Sequence, residues 1–105
     1  MTTVNKSASK VLKVLKALRG HSLKGVTISD LAKKLEESPS QVYRYLQTLI
    51  NEGLASQMDD GSYALGREMV AIAHTHSEEI SRAQAHITEH IQRVTARVNQ
   101  IKSEA

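Results

Sequence analysis

The chain contains no cysteine, which excludes disulfide frameworks and Cys-based zinc or iron–sulfur sites. It also lacks Phe and Trp, and its only aromatic residues are Tyr43, Tyr45 and Tyr63. A core is therefore expected to come from Leu, Ile, Val and Ala. One Pro and five Gly in 105 residues leave few helix breakers. No run approaches the ~20 consecutive apolar residues of a membrane span. The opening MTTVNKSASK lacks the apolar stretch of a secretory signal. A cytoplasmic location and no membrane partner are the expectation. A chain of this length has room for one compact domain plus one further element.

No catalytic arrangement is present either. There is no phosphate-binding loop and no nucleophile–base spacing. The paired carboxylates Glu36-Glu37, Asp59-Asp60 and Glu78-Glu79 are adjacent residues on surface segments. An enzyme is not expected, nor is a cofactor. Four of the five histidines (His74, His76, His86, His90) fall near one another in the chain. His86 and His90 are four apart and could jointly hold a metal, but no third ligand is evident. Exposed histidines and no metal site are the expectation.

The net charge is +3, and its placement says more than its size. Residues 1–34 carry Lys6, Lys10, Lys13, Lys16, Arg19, Lys24, Lys33 and Lys34 against one acid, Asp30, a net of +7. Residues 67–105 carry five bases and five acids. A basic first third can attract a phosphate backbone and release its counterions. A solvated helix face would look the same, so charge alone does not decide.

Ser7 can cap a helix from Ala8 to about Arg19, ended by Gly20. Ala8, Val11, Leu12, Leu15 and Leu18 form its apolar stripe. Val26-Thr27-Ile28 suffices for a minimal strand. Thr27 or Ser29 then caps a short helix with Ile28, Leu31, Ala32 and Leu35 on its apolar face, ending near Glu37. Ser38-Pro39 starts a third helix, with Ser38 at the cap and Pro39 in the first turn, running to about Glu52 before Gly53. Leu54–Met58 and Ser62–Leu65 flank Asp59-Asp60-Gly61, a hairpin turn signal. From Arg67 onward there is no Gly or Pro, so one helix can run nearly to the end. The expected fold is mainly α: a winged helix-turn-helix over residues 1–66 with a small β-hairpin wing, and a long C-terminal coiled-coil helix over residues 67–105.

Winding residues 39–52 at 100° per residue gathers Val42, Leu46, Leu49 and Ile50 on one side. The other side carries Ser40, Gln41, Arg44, Gln47, Thr48 and Asn51, flanked by Tyr43 and Tyr45. Arg and Gln pair with base edges in a major groove, and hydroxyls reach phosphates. Gln41, Arg44 and Gln47 are thus expected to read bases. Ser38, Ser40, Tyr43 and Thr48, with nearby lysines, are expected to hold phosphates. Lys24, Thr27 and Ser29 complete the expected DNA-contacting set.

Residues 7–66 resemble the N-terminal winged-helix domain of IclR-type transcriptional regulators. SASKVLKVLKAL matches the first helix, VTISDLAKKLEESPSQVYRYLQTLINEGL the helix-turn-helix, and SYALG the end of the wing. In that family P-S-x-V-x-R-x-L-x-T-L is the recognition element, read here as PSQVYRYLQTL. The resemblance implies that Arg44 is its arginine and that Ser38 and Ser40 are its small polar start. The chain departs from the family in three places. It is too short for the large effector-binding domain, which implies control by protein level or by a partner. Its wing tip, Asp59-Asp60, is poorly suited to phosphate-lined grooves. Tyr45 stands where the family usually has Leu, with its ring expected to pack and its hydroxyl to stay at the surface.

In the C-terminal helix, Val70, Ser77, Gln84, Ile91 and Val98 alternate with Ala73, Ile80, Ile87, Val94 and Ile101 in steps of three and four. Such a 3.5-residue seam is the signature of a coiled coil. Ile80, Ile87, Ile91, Val94, Val98 and Ile101 are the expected dimerisation residues. Packing back onto the chain's own domain as an amphipathic helix is the alternative. The expected function is that of a dimeric, sequence-specific transcriptional regulator with double-stranded DNA and its own copy as partners. Size and resemblance suggest a phage or prophage regulator. A protein-interaction module (an antirepressor or host-takeover factor acting through the coiled coil) is the alternative function.

Overall fold

The computed structural model describes residues 3–104. Its elements run α1 (Lys6–Ala17), α2 (Ile28–Leu35), α3 (Pro39–Asn51), β1 (Ala55–Gln57), β2 (Tyr63–Leu65) and α4 (Arg67–Glu104). By internal contacts the chain divides after Ala71, inside α4.

The helix ends follow side-chain caps. Asn5, not Ser7, caps α1 by accepting the Ala8 N–H at 3.0 Å, so the helix begins two residues earlier than expected. Asn is as good a cap as Ser, and an earlier start closes one further backbone hydrogen bond, Ser9 N–H to the Asn5 carbonyl. Thr27 Oγ1 accepts the Asp30 N–H at 3.1 Å to start α2. Ser38 Oγ accepts the Gln41 N–H at 3.2 Å to start α3, with Pro39 in its first turn. Gly20 and Gly53, which follow α1 and α3, take positive φ of 84° and 75°. Glu36 closes α2 at φ 56°, the only residue other than glycine with positive φ among the described residues.

β1 and β2 pair antiparallel with Ala55 opposite Leu65, Ser56 opposite Ala64 and Gln57 opposite Tyr63. The expected strand at 26–28 is reduced to one bridge, Val26 to Tyr63, with hydrogen bonds of 2.8 Å in both directions. Tyr63 is therefore paired on both sides. Gly66 ends the hairpin where the chain passes closest to the end of α3. A Cβ there would lie 2.1 Å from the Gly53 carbonyl oxygen, a backbone clash that only glycine avoids.

The core joins Val14, Ala17 and Leu18 of the α1 region, Leu31 and Ala32 of α2, Val42, Leu46 and Leu49 of α3, and Ala55 and Tyr63 of the hairpin. Leu18, Leu31, Leu46 and Leu49 are essentially inaccessible, and burying each contributes about 1.5–3 kcal/mol. The core departs from expectation in two ways. The apolar residues of α1 span a wide arc, and the core takes the edge holding Val14 and Leu18. Ala8 and Leu12, assigned to the stripe, are exposed. The core is also not purely aliphatic, because Tyr63 lies within it at 2% exposure.

Residues 72–104 are a single uninterrupted helix, and α4 has no buried residue. No helix among the described residues is long and apolar enough to cross a membrane.

Candidate nucleic-acid interface

The apolar side of α3 (Val42, Leu46, Leu49) is buried against α1 and α2, which orients the opposite side outward. Ser40, Gln41, Tyr43, Arg44, Gln47, Thr48 and Asn51 are all exposed. The helix contains no Asp or Glu; Glu52 is its C-cap. Arg44 makes no side-chain hydrogen bond and no ion pair among the described residues, so its five N–H donors are available. Gln41 and Gln47 likewise make no side-chain hydrogen bond among the described residues. An uncommitted guanidinium between two uncommitted amides can recognise a guanine edge in bidentate fashion and an adenine edge beside it.

The hydroxyls differ in what they have left to offer. Ser38 Oγ and Thr27 Oγ1 accept backbone N–H groups as caps, yet each keeps a proton to donate. Ser38 and Ser40 lie 3.3 Å apart, oxygen to oxygen, forming a small polar group at the start of α3. Thr48 Oγ1 donates to the Arg44 carbonyl at 3.3 Å, so it reaches a phosphate as a donor only by leaving that bond. Tyr43 is 49% exposed and presents both ring and hydroxyl. Tyr45 is half-buried against the core.

Lys24, Thr27 and Ser29 lie outside α3, all three exposed. They form no hydrogen bond or ion pair with it among the described residues. Lys24 belongs to the loop before Val26, and its carbonyl lies 3.1 Å from His21 Nδ1. The adjacent Gly25 is pressed against the wing: a Cβ on it would lie 2.0 Å from Ser62 Oγ.

The basic first third is less uniformly available than its count suggests. Lys10 pairs with Glu37 at 3.4 Å, tying α1 to the turn between α2 and α3. This contact carries no signal in the sequence, since no spacing rule links residues on separate elements. At the wing tip, Asp60 accepts from the Ser62 hydroxyl at 2.5 Å and from the Ser62 N–H at 2.9 Å. The hydroxyl bond first, and the backbone bond after it, hold the Asp60 carboxyl below its usual range. The tip is therefore firmly anionic, and Asp60 serves to shape the turn.

The residues singled out on α4 form one exposed face. Ile80, Ile87, Ile91, Val94, Val98 and Ile101 are each 41–61% accessible. His74 lies 3.8 Å from Glu78 and Arg93 bonds Glu89, both pairs within the helix. No cluster of three or more metal-ligating side chains exists among the described residues.

Residues 7–59 match the IclR helix-turn-helix domain. The crystal structure of Pseudomonas aeruginosa HmgR is 32% identical, with a TM-score of 0.65, over 73% of this chain and 33% of that one. An IclR transcriptional regulator from Alicyclobacillus acidocaldarius is 25% identical, with a TM-score of 0.60, over 67% of this chain and 28% of that one. The Agobacterium tumefaciens repressor BlcR, 18% identical over 70% of this chain and 29% of that one, shares the fold at a TM-score of 0.57. The chain thus spans about a third of the length of the solved structures it matches. No curated protein sequence matches it. The order of caps, the buried side of α3 and the hairpin lie in or next to the matched segment, and the chain belongs to the IclR helix-turn-helix family.

Proposed function

We propose that the chain is a DNA-binding transcription regulator whose α3 enters the major groove. On this reading residues 1–66 hold the DNA, and residues 67–105 pair two copies so that two recognition helices meet two half-sites. The observation that carries it is the exposed Arg44, whose guanidinium has no hydrogen-bond or ion-pair partner among the described residues, between Gln41 and Gln47 on an acid-free face of an IclR helix-turn-helix. Ser38, Ser40, Tyr43 and Thr48 surround that face and suit phosphate and sugar contacts. Lys24, Thr27 and Ser29 supply contacts from neighbouring elements. The Alicyclobacillus acidocaldarius structure that this chain resembles is that of an IclR transcriptional regulator, which supports the same reading.

The test is an anisotropy titration of the full chain on duplex DNA at two salt concentrations. Binding is expected to weaken steeply with salt, because phosphate contacts release counterions. Arg44→Ala is expected to lose about 1–3 kcal/mol of binding, roughly ten- to hundredfold, with the loss concentrated on a preferred sequence. Absence of binding at low salt, or full retention by Arg44→Ala, overturns the assignment of α3 and leaves the protein-interaction role.

For the pairing, sedimentation of residues 1–70 is compared with that of the full chain. The full chain is expected to dimerise and the shortened one to be monomeric. Equal association of both excludes α4 as the dimerising element.

A further inference from the structure

The pairing proposed above leaves open which way two α4 helices run, and the seam itself carries an answer. Residues 72–104 form one helix without interruption, and a lone helix has no second element of its own against which to lay an apolar face. One row of its face is Ala73, Ile80, Ile87, Val94 and Ile101, all apolar. The interleaved row is Ser77, Gln84, Ile91 and Val98, two of them polar. Of the acids, Glu78, Glu79 and Glu89 fall off this seam and off the positions beside it, and Glu104, at the end of the helix, lies beside it.

The two polar residues are not equivalent. Ser77 Oγ donates to the Ala73 carbonyl at 3.3 Å, so its demand is met inside the helix. Gln84 is exposed and makes no side-chain hydrogen bond among the described residues. Covering the seam therefore buries an amide whose partner must come from the covering helix.

We infer that α4 pairs with a second copy of itself in parallel and in register, with Gln84 facing Gln84 of the other copy. In that arrangement each seam residue meets its own counterpart, and two amides, each both donor and acceptor, satisfy one another. In any antiparallel arrangement the two rows face each other. Gln84 then meets Ala, Ile or Val whatever the register, and its amide is buried without a partner. One feature opposes the parallel pair: it sets Arg97 beside Lys102 of the other copy. Both lie at the solvent-exposed rim, where salt screens like charges and their cost is small. A buried amide has no such relief, so the parallel arrangement prevails.

The absence of cysteine makes the inference directly testable, because every introduced thiol is a unique reporter. Ala73→Cys and Ile101→Cys lie roughly 40 Å apart along the helix at 1.5 Å per residue. A parallel, in-register pair brings each of these positions near its own copy, within the ~6 Å Cα separation a disulfide needs. Each variant alone is expected to oxidise to a covalent dimer at least tenfold faster than Gln92→Cys, which lies off the seam. Sedimentation of the unmodified chain runs alongside. If it shows a dimer but neither seam variant cross-links faster than Gln92→Cys, the parallel inference fails while self-association stands. Cross-linking of Ala73→Cys only when mixed with Val98→Cys identifies an antiparallel pair and has the same consequence. A monomer overturns both the inference and the pairing it rests on. In a Gln84→Val background the mixed Ala73–Val98 product is expected to appear. An unchanged product distribution removes Gln84 as the determinant and overturns the inference as argued.

Discussion

Tyr63 shows how a single side chain can serve the core and the sheet at once. It is 2% exposed, and its backbone bonds Val26 on one side while facing Gln57 on the other. Its hydroxyl makes no hydrogen bond among the described residues, so the ring carries its contribution. Tyr63→Ala is expected to cost about 3–5 kcal/mol through the cavity it leaves, measurable by urea unfolding, whereas Tyr63→Phe is expected to be nearly neutral at pH 7. The two proteins should part at high pH. Burial, and to a lesser degree the neighbouring Tyr43, push the Tyr63 phenol above its ordinary value. A group whose value is raised on folding gives stability that is present below the unfolded value, about 10 for Tyr. That stability is lost as pH rises towards the folded value. Alkaline unfolding of Tyr63→Phe should therefore have a higher midpoint than that of the unmodified chain. Equal midpoints would mean that ionisation of Tyr63 does not limit stability.

At the scale of elements, the turn between α2 and α3 carries a local cost. Glu36 closes α2 in the left-handed region at φ 56°, where a residue with a Cβ is disfavoured by roughly 1–2 kcal/mol. Glycine is the residue that ends helices this way elsewhere in proteins. Glu36→Gly should raise stability by about 0.5–1 kcal/mol, net of the greater freedom glycine has in the unfolded chain. A thermal melt that shows no gain would mean that Glu36 makes a compensating contact. Neither its left-handed conformation nor its cost was legible in the residues, because Glu gives no turn signal. Caps and breaks were legible where they rest on local chemistry: Thr27, Ser38, Pro39 and Gly53 all act where their side chains or backbone freedom predict. The start of α1 was displaced because Asn5 and Ser7 are equally good caps, and nothing local chooses between them. The α1 stripe differs from the packed face because its apolar arc is wider than the face the core uses. Periodicity locates such an arc but not the edge that packing selects. Arg44, Gln41 and Gln47 were readable as an outward face because α3 has only one apolar side. The engagement of Lys10 by Glu37 depends on how α1 meets the turn, which spacing along the chain does not encode.

At the scale of the whole molecule, the largest helix has the least to hold it. α4 is 38 residues long, more than α1, α2 and α3 together at 12, 8 and 13 residues, and it has no buried residue. Its internal ion pair, Arg93 with Glu89, adds only about 0.2–0.5 kcal/mol. Most of a helix's stability in a protein comes from packing its apolar face, and no residue of α4 is buried. If pairing through the seam is what keeps it folded, its helicity must follow protein concentration by mass action. Ellipticity at 222 nm per residue should then fall on dilution from roughly 100 µM to roughly 1 µM, over the range in which sedimentation shows the dimer dissociating. The near-ultraviolet signal provides an internal control. All three tyrosines, Tyr43, Tyr45 and Tyr63, precede α4 and there is no Trp or Phe, so that signal reports the helix-turn-helix unit alone and should stay constant. Ile87→Asp places a charge in the middle of the seam and should show the low ellipticity at every concentration, with its tyrosine signal unchanged. Ellipticity that stays high and constant while sedimentation reports a monomer would show that α4 is helical without a partner. Its aliphatic face would then not be what sustains it.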